Sequence, residues 1–150
     1  MLRFSTEQVV WQEVPGEVSL AYTITGCSLG CKGCHSSDTW AKGTGTELTD
    51  SYFLQRLQQY RQLISCVLFL GGEWQPDELK HKLHLAKRRH LQTCLYPGLD
   101  DVSPELKCEL TYLKTGRWLP ERGGLDNPNT NQILVDLRTG QCLNHRFIRP

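Results

Sequence analysis

Three cysteines, Cys27, Cys31 and Cys34, fall within the stretch GCSLGCKGCHSSDTW at residues 26 to 40, spaced C-x3-C-x2-C. Thiols gathered this tightly are expected to hold a metal or a metal cluster, because a single catalytic nucleophile has no use for two more at fixed spacing. Two chemistries compete. Zinc takes thiolates readily, but structural zinc sites close a tetrahedron and usually draw their ligands as two separated pairs; His35, as a fourth ligand adjacent to Cys34, would be strained. A 4Fe-4S cluster has four irons and is normally held by thiolates, so three cysteines leave one iron open to a substrate or cosubstrate. The missing fourth cysteine then becomes functional. The chain's other four cysteines, Cys66, Cys94, Cys108 and Cys142, lie far apart, three of them next to apolar residues in SCVLFL, TCLYP and QCLN. Each is expected to be a small buried hydrophobe.

Elements that bring strand ends together must position such a cluster. The segment VSLAYTIT at 18 to 25 is rich in β-formers and ends at Gly26, so the cysteines are expected in a loop leaving a strand. After Thr49, a candidate N-cap, Phe53, Leu57, Tyr60 and Ile64 mark one apolar helix face. CVLFL at 66 to 70 reads as a strand covered on both faces, and it runs directly into Gly71, Gly72 and Glu73. A second helix is expected near Pro76 and Asp77, with Leu79, Leu83 and Ala86 buried and Lys80, Lys82, Lys87, Arg88 and Arg89 mostly outward. LQTCLYPG supplies a third strand and LTYLKTGRW at 110 to 118 a fourth. ERGGLDNPNTN is a loop, and QILVDLRTGQCLNHRF is a terminal β-hairpin turning around Thr139 and Gly140. Alternating strands and helices predict an α/β fold with a parallel sheet.

Composition narrows the partners. With 150 residues, 39% hydrophobic, the chain is expected to form one domain over 1–150. A net charge of +1 provides no global field toward nucleic acid or an anionic membrane. No apolar run approaches the roughly 20 residues of a membrane span, and the N-terminal stretch MLRFSTEQVVWQEVPG lacks the apolar core of a signal peptide. A cytoplasmic protein is expected, in a reducing compartment where tight cysteine clusters are metal or catalytic sites.

C-x3-C-x2-C after a first strand, joined by LGGE at 70 to 73, resembles the signature of radical S-adenosylmethionine enzymes. The resemblance implies a partial (β/α) barrel related to the TIM barrel, with the site at the carboxyl ends of its strands. It implies a 4Fe-4S cluster held by Cys27, Cys31 and Cys34. It also implies S-adenosyl-L-methionine bound on the open iron, with its amino group received by the Gly71-Gly72-Glu73 segment. Within that family, CKGCHSSDTW, with Gly33 before the third cysteine and Thr39-Trp40 after it, is similar to activating proteins of anaerobic ribonucleoside-triphosphate reductases, as is NTNQILVD at 129 to 136. Such a protein takes electrons from a flavodoxin or ferredoxin, cleaves S-adenosylmethionine to a 5'-deoxyadenosyl radical and generates a glycyl radical on the reductase large subunit. His35 is then expected near the adenine, Trp40 under the cluster loop, and Gly123, Gly124, Asn131 and Gln132 in a partner-docking loop. Two departures stand out: Lys32 replaces a frequent proline, and Trp74-Gln75-Pro76 follows Glu73 where proline more commonly comes at once. A radical enzyme acting on a small molecule, as in deazapurine biosynthesis, and a non-catalytic zinc or iron-sulfur module are the competing readings.

Overall fold

The computed structural model describes residues 2–26 and 45–148. In chain order it contains β1 (Arg3–Val10), β2 (Ser19–Ile24), β3 (Thr46–Glu47), α1 (Asp50–Gln59), β4 (Cys66–Leu70), α2 (Pro76–Arg88), β5 (Gln92–Tyr96), α3 (Pro104–Lys107), β6 (Tyr112–Thr115), β7 (Ile133–Asp136) and β8 (Gln141–Cys142). The strands form one sheet in the order β3-β1-β2-β4-β5-β6-β7-β8. Its centre, β2-β4-β5-β6, is parallel, and both flanks are antiparallel. The α/β class and the C-terminal hairpin agree with the sequence reading. The sheet order is linear, so these strands form an open sheet with β3 and β8 at its edges rather than a closed barrel.

Local chemistry accounts for the helices. Thr49 caps α1, its hydroxyl accepting from the Tyr52 amide at 3.2 Å, and Phe53 and Leu57 turn inward. Pro76 opens α2 in the first turn, where a missing N–H costs nothing, and Leu79, Leu83 and Ala86 are buried as their spacing predicts. Lys82 departs from the expected outward set. Its side chain is buried with the ammonium 2.6 Å from Asp50 Oδ1, joining α2 to the start of α1. The short α3 begins at Ser103-Pro104, with the Ser103 hydroxyl accepting from the Leu106 amide.

Every buried helix side chain of the apolar core lies on one face of the sheet. There Tyr22 stacks on Phe69 at 5.9 Å between ring centroids and meets Phe4 edge-on at 5.2 Å, with Phe53 closing the group. Among the described residues the other face carries no α-helix. Ala21, Cys66, Leu68, Cys94, Tyr112 and Leu134 are covered by Val14 from the β1–β2 connection, Leu125 from the 116–132 connection and Leu143 from beyond β8. The β1–β2 connection is fixed across this face by long-range bonds. Tyr96 Oη donates to the Glu13 carbonyl, and Tyr112 Oη donates to a Glu17 carboxylate oxygen at 2.9 Å. Gln132, expected in a docking loop, is buried and donates from Nε2 to the Gly116 carbonyl at 3.3 Å; Asn131 donates to the Arg117 carbonyl. Both therefore brace the turn after β6.

Candidate functional site at the carboxyl ends of the parallel strands

The three central strands end level with one another, because Thr23 pairs with Leu70 and Leu70 with Tyr96. Beyond these pairs the chain turns. Gly71 extends the ladder by one bond, its amide donating to the Tyr96 carbonyl at 3.0 Å, and then adopts φ +91°, followed by Gly72 at +106°. L-residues rarely adopt these angles, and a Cβ on Gly71 would come 2.7 Å from Trp74 Cη2. The paired glycines thus serve a sharp exit from β4. The Gln75 amide closes the turn on the Gly72 carbonyl at 3.0 Å, and α2 starts at the next residue.

That turn places two polar side chains. Glu73 Oε2 accepts from the Gly98 amide at 2.8 Å, linking the ends of β4 and β5. Glu73 Oε1 is buried and has no hydrogen-bond partner among the described residues. Burial holds the Glu73 carboxyl above the ordinary carboxylate range, against backbone N–H donors and the positive charge of Lys114, which act the other way. Lys114, near the end of β6, has its ammonium 5.1 Å from the centroid of the Tyr96 ring. On the opposite side of the turn, Trp74 lays its benzo edge on Gly71 and points its ring nitrogen toward Gly26, 3.5 Å from where a Cβ there would stand. This indole N–H is likewise buried and without a partner among the described residues.

Gly26 directly precedes Cys27, so the Trp74 contact brings the 71–74 turn against the point where the cysteine-bearing segment departs. Cys27, Cys31, Gly33, Cys34 and His35, together with Trp40, lie outside the described residues. Both flanks of this segment are tied to the start of β1 and the residue before it: the Thr25 amide donates to the Arg3 carbonyl at 2.9 Å, and the Leu48 amide to the Leu2 carbonyl at 2.9 Å. Among the described residues, no group of three or more His, Cys, Asp or Glu side chains is arranged to hold a metal ion.

The remaining cysteines divide. Cys66 and Cys94 are fully buried, as expected, and burial raises both thiols, Cys66 to about 12. They stay protonated, which disfavours either as a thiolate ligand. Cys108 and Cys142 are exposed, contrary to expectation. Cys108 follows the short α3, where Leu106 takes the inward position, and Cys142 lies on the two-residue edge strand β8, where Leu143 is buried in its place. From the sequence Gly98 reads only as the close of the third strand, with Pro97, and Lys114 does not stand out as a site residue. The Pro97-Gly98 pair at a strand end was the available signal for the first, whereas a lysine within LTYLKTG offers none for the second.

The Asp50 carboxylate, at the entrance to α1, is held below the usual carboxylate range by hydrogen bonds from Lys82 and from His81, whose Nε2 lies 2.7 Å away. It fastens the start of α1 to α2. None of the described helices is long and apolar enough to cross a membrane.

The family model describing a 4Fe-4S single cluster domain matches residues 14–95, a span that runs from the buried Val14 through β2, the cysteine-bearing segment, the Gly-Gly-Glu turn and most of β5. The chain is also similar to a pyruvate formate-lyase-activating enzyme of Clostridium pasteurianum, at 36% identity over 97 residues. That similarity covers 61% of this chain and 40% of the relative's length. Because the matched span takes in more than half of the chain, including the strand ends that flank Cys27 to Cys34, the chain belongs to the 4Fe-4S single cluster domain family.

Proposed function

We propose that this chain, acting as one domain over 1–150, is a radical S-adenosylmethionine activase that generates a glycyl radical on a partner enzyme. In this reading Cys27, Cys31 and Cys34 hold the 4Fe-4S cluster, and Gly33 and His35 lie beside the bound nucleotide. The open sheet with its crossover helices serves as a shortened (β/α) barrel. The observation that carries the reading is the junction of Gly26, Trp74, Glu73 and Gly98 at the level ends of β2, β4 and β5. It sets a buried carboxylate oxygen, without a partner among the described residues, on the same turn whose Trp74 ring meets Gly26 at the exit to three cysteines. Such an oxygen fits the ammonium of S-adenosylmethionine, since a buried acceptor left unpaired is costly and a cation satisfies it. Gly71 and Gly72 let the backbone approach the same group.

A reduced cluster held by Cys27, Cys31 and Cys34 would supply the electron needed to cleave the sulfonium. What this chain's residues do is hold, orient and shield. Glu73 receives the ammonium, Gly98 keeps the carboxylate in place, and the apolar strand ends exclude water. The partner is proposed to be the large subunit of an anaerobic ribonucleoside-triphosphate reductase, on the strength of CKGCHSSDTW and NTNQILVD, with a flavodoxin or ferredoxin as donor. The relative's name, a pyruvate formate-lyase-activating enzyme, supports the glycyl-radical class. A small-molecule substrate would need room over the face of the sheet opposite α1 and α2, where Val14, Leu125, Leu134 and Leu143 pack. A glycine-bearing loop of a protein substrate needs only the open strand ends.

Anoxic reconstitution with iron and sulfide, followed by assay of S-adenosylmethionine cleavage with and without the reductase, tests the proposal. The expected result is cleavage together with a carbon-centred radical on the reductase, read by electron paramagnetic resonance. Stoichiometric zinc without cleavage, or cleavage that leaves no radical on the partner, overturns it.

A further inference from the structure

Three successive residues carry a line of hydrogen bonds away from Glu73 across the strand ends. The Gly98 amide holds Glu73 Oε2, the Leu99 carbonyl accepts from the Gly116 amide at 3.2 Å, and Asp100 Oδ1 accepts from the Arg117 amide at 3.1 Å. The 116–132 connection therefore starts on the rim of the site. Its length has no topological reason. Thr115 and Ile133 stand opposite each other in the β6–β7 ladder, so a two-residue turn would join these strands. Long connections in a compact domain are usually functional when they carry structure of their own. Here the Arg122 and Gly123 amides donate to the Leu119 carbonyl at 2.9 and 3.0 Å, Thr130 Oγ1 donates to the Gly123 carbonyl at 2.9 Å, and Arg122 Nε to the Asn129 carbonyl at 2.7 Å. Asn131 and Gln132 brace the base, and Leu125 packs on the sheet, while Glu121, Asp126 and Asn129 are exposed.

We infer that the 116–132 connection is the docking surface for the protein whose glycine is activated, a preformed wall beside the strand ends that selects the polypeptide substrate. This deepens the proposed function and rests on it. A glycine-bearing loop that enters over the strand ends must pass this rim, because Leu99 and Asp100 join the connection to the residue that holds Glu73. The chemistry of the wall fits a protein. Its two basic side chains, Arg117 and Arg122, are balanced by two acidic ones, Glu121 and Asp126, which gives no pull toward nucleic acid or an anionic membrane. Ile133 at its foot is 43% exposed and supplies an apolar contact amid polar neighbours, as protein interfaces do. An element already ordered by its own hydrogen bonds loses little conformational entropy on association. It also lies beyond the 14–95 span of the 4Fe-4S family match, where a feature that selects one partner rather than holding the cluster belongs.

The test uses the anoxically reconstituted holoprotein with the reductase large subunit, and reads the glycyl radical by electron paramagnetic resonance as the reductase concentration is raised. Glu121→Trp and Asn129→Trp are combined to crowd the wall; neither side chain takes part in the bonds above, so the connection keeps its shape. The half-saturating reductase concentration is expected to rise about tenfold or more, with S-adenosylmethionine cleavage in the absence of reductase within about twofold of wild type. The same bulk at exposed helix-side positions, Gln58→Trp with Glu105→Trp, is expected to leave half-saturation within about twofold. Unchanged half-saturation in the Glu121→Trp, Asn129→Trp protein overturns the inference. So does an equal rise in the helix-side pair, and so does a matching loss of reductase-free cleavage, which would make the connection part of the cofactor pocket. A wild-type protein that leaves no radical on the reductase at any concentration sinks the activase reading beneath it, a result distinct from all of these.

Discussion

On the helix side of the sheet, Phe4, Tyr22, Phe53 and Phe69 meet ring to ring under α1 and α2, whereas the opposite side is closed by apolar residues of connecting segments, of which the β1–β2 connection is fixed by single hydroxyl bonds from Tyr96 and Tyr112. The first arrangement gains from area and shape, and any sequence with the right periodicity obtains it. The second depends on particular partners far apart in the chain, Tyr96 with Glu13 and Tyr112 with Glu17. The difference teaches where stability and placement reside: the aromatic side holds the fold, and the stitched side shapes the ground on which the strand-end site stands.

The comparison is most severely tested by Phe53→Ala, which removes the fully buried ring that closes the aromatic group. It is expected to cost about 3–5 kcal/mol in urea denaturation, and a cost near that of a surface change would break the contrast. Next comes Gly71→Ala, at a φ of +91° and against Trp74. A loss of about 2 kcal/mol is expected, together with weakened S-adenosylmethionine binding, because strain and a displaced indole act together. Tyr96→Phe is expected to cost only about 1 kcal/mol globally, while hydrogen exchange at residues 11–18 rises markedly; uniform exchange across the sheet would show that the stitched side is no separate unit.

The smallest effect is a pH dependence. Glu73 has a folded pKa above its unfolded value, so the folded state binds the proton more tightly. Its contribution therefore falls as pH rises from the ordinary glutamate value near ~4.3 to the higher folded one. Glu73→Gln should flatten that fall in denaturation midpoints taken across the window and leave the apoprotein at least as stable above it. In the wild-type holoprotein, S-adenosylmethionine binding should be lost on acidification at a higher pH than an exposed carboxylate would give.

Much of the helix side was legible in advance. Thr49, Phe53 and Leu57 announced α1, and Pro76, Leu79, Leu83 and Ala86 announced α2, because capping and 3.6-residue periodicity are local properties. CVLFL reads as a strand covered on both faces, and LQTCLYPG as a further strand, because short runs of β-forming residues are local properties too. β1 was not legible: RFSTEQVV is half exposed and earns its place only by pairing with β2 and β3, including a Thr6–Thr23 hydroxyl bond. Lys82 was read outward because charge usually is, and only the fold reveals Asp50 waiting for it. At the site, Gly71, Gly72 and Glu73 were found from their order in the chain. Trp74 registered merely as a departure from a pattern, since nothing local discloses that its ring spans from Gly71 to Gly26.

The hydrogen bonds from Thr25 and Leu48 to the carbonyls of Arg3 and Leu2 make the N-terminal strand a clasp. The two ends from which the 27–44 segment departs are thereby held at one strand, so in the proposed reading, with Cys27, Cys31 and Cys34 holding the cluster, part of the entropic cost of drawing three thiols together is met by the fold. Trimming the first few residues, remote in sequence from every cysteine, should then loosen the proposed metal site.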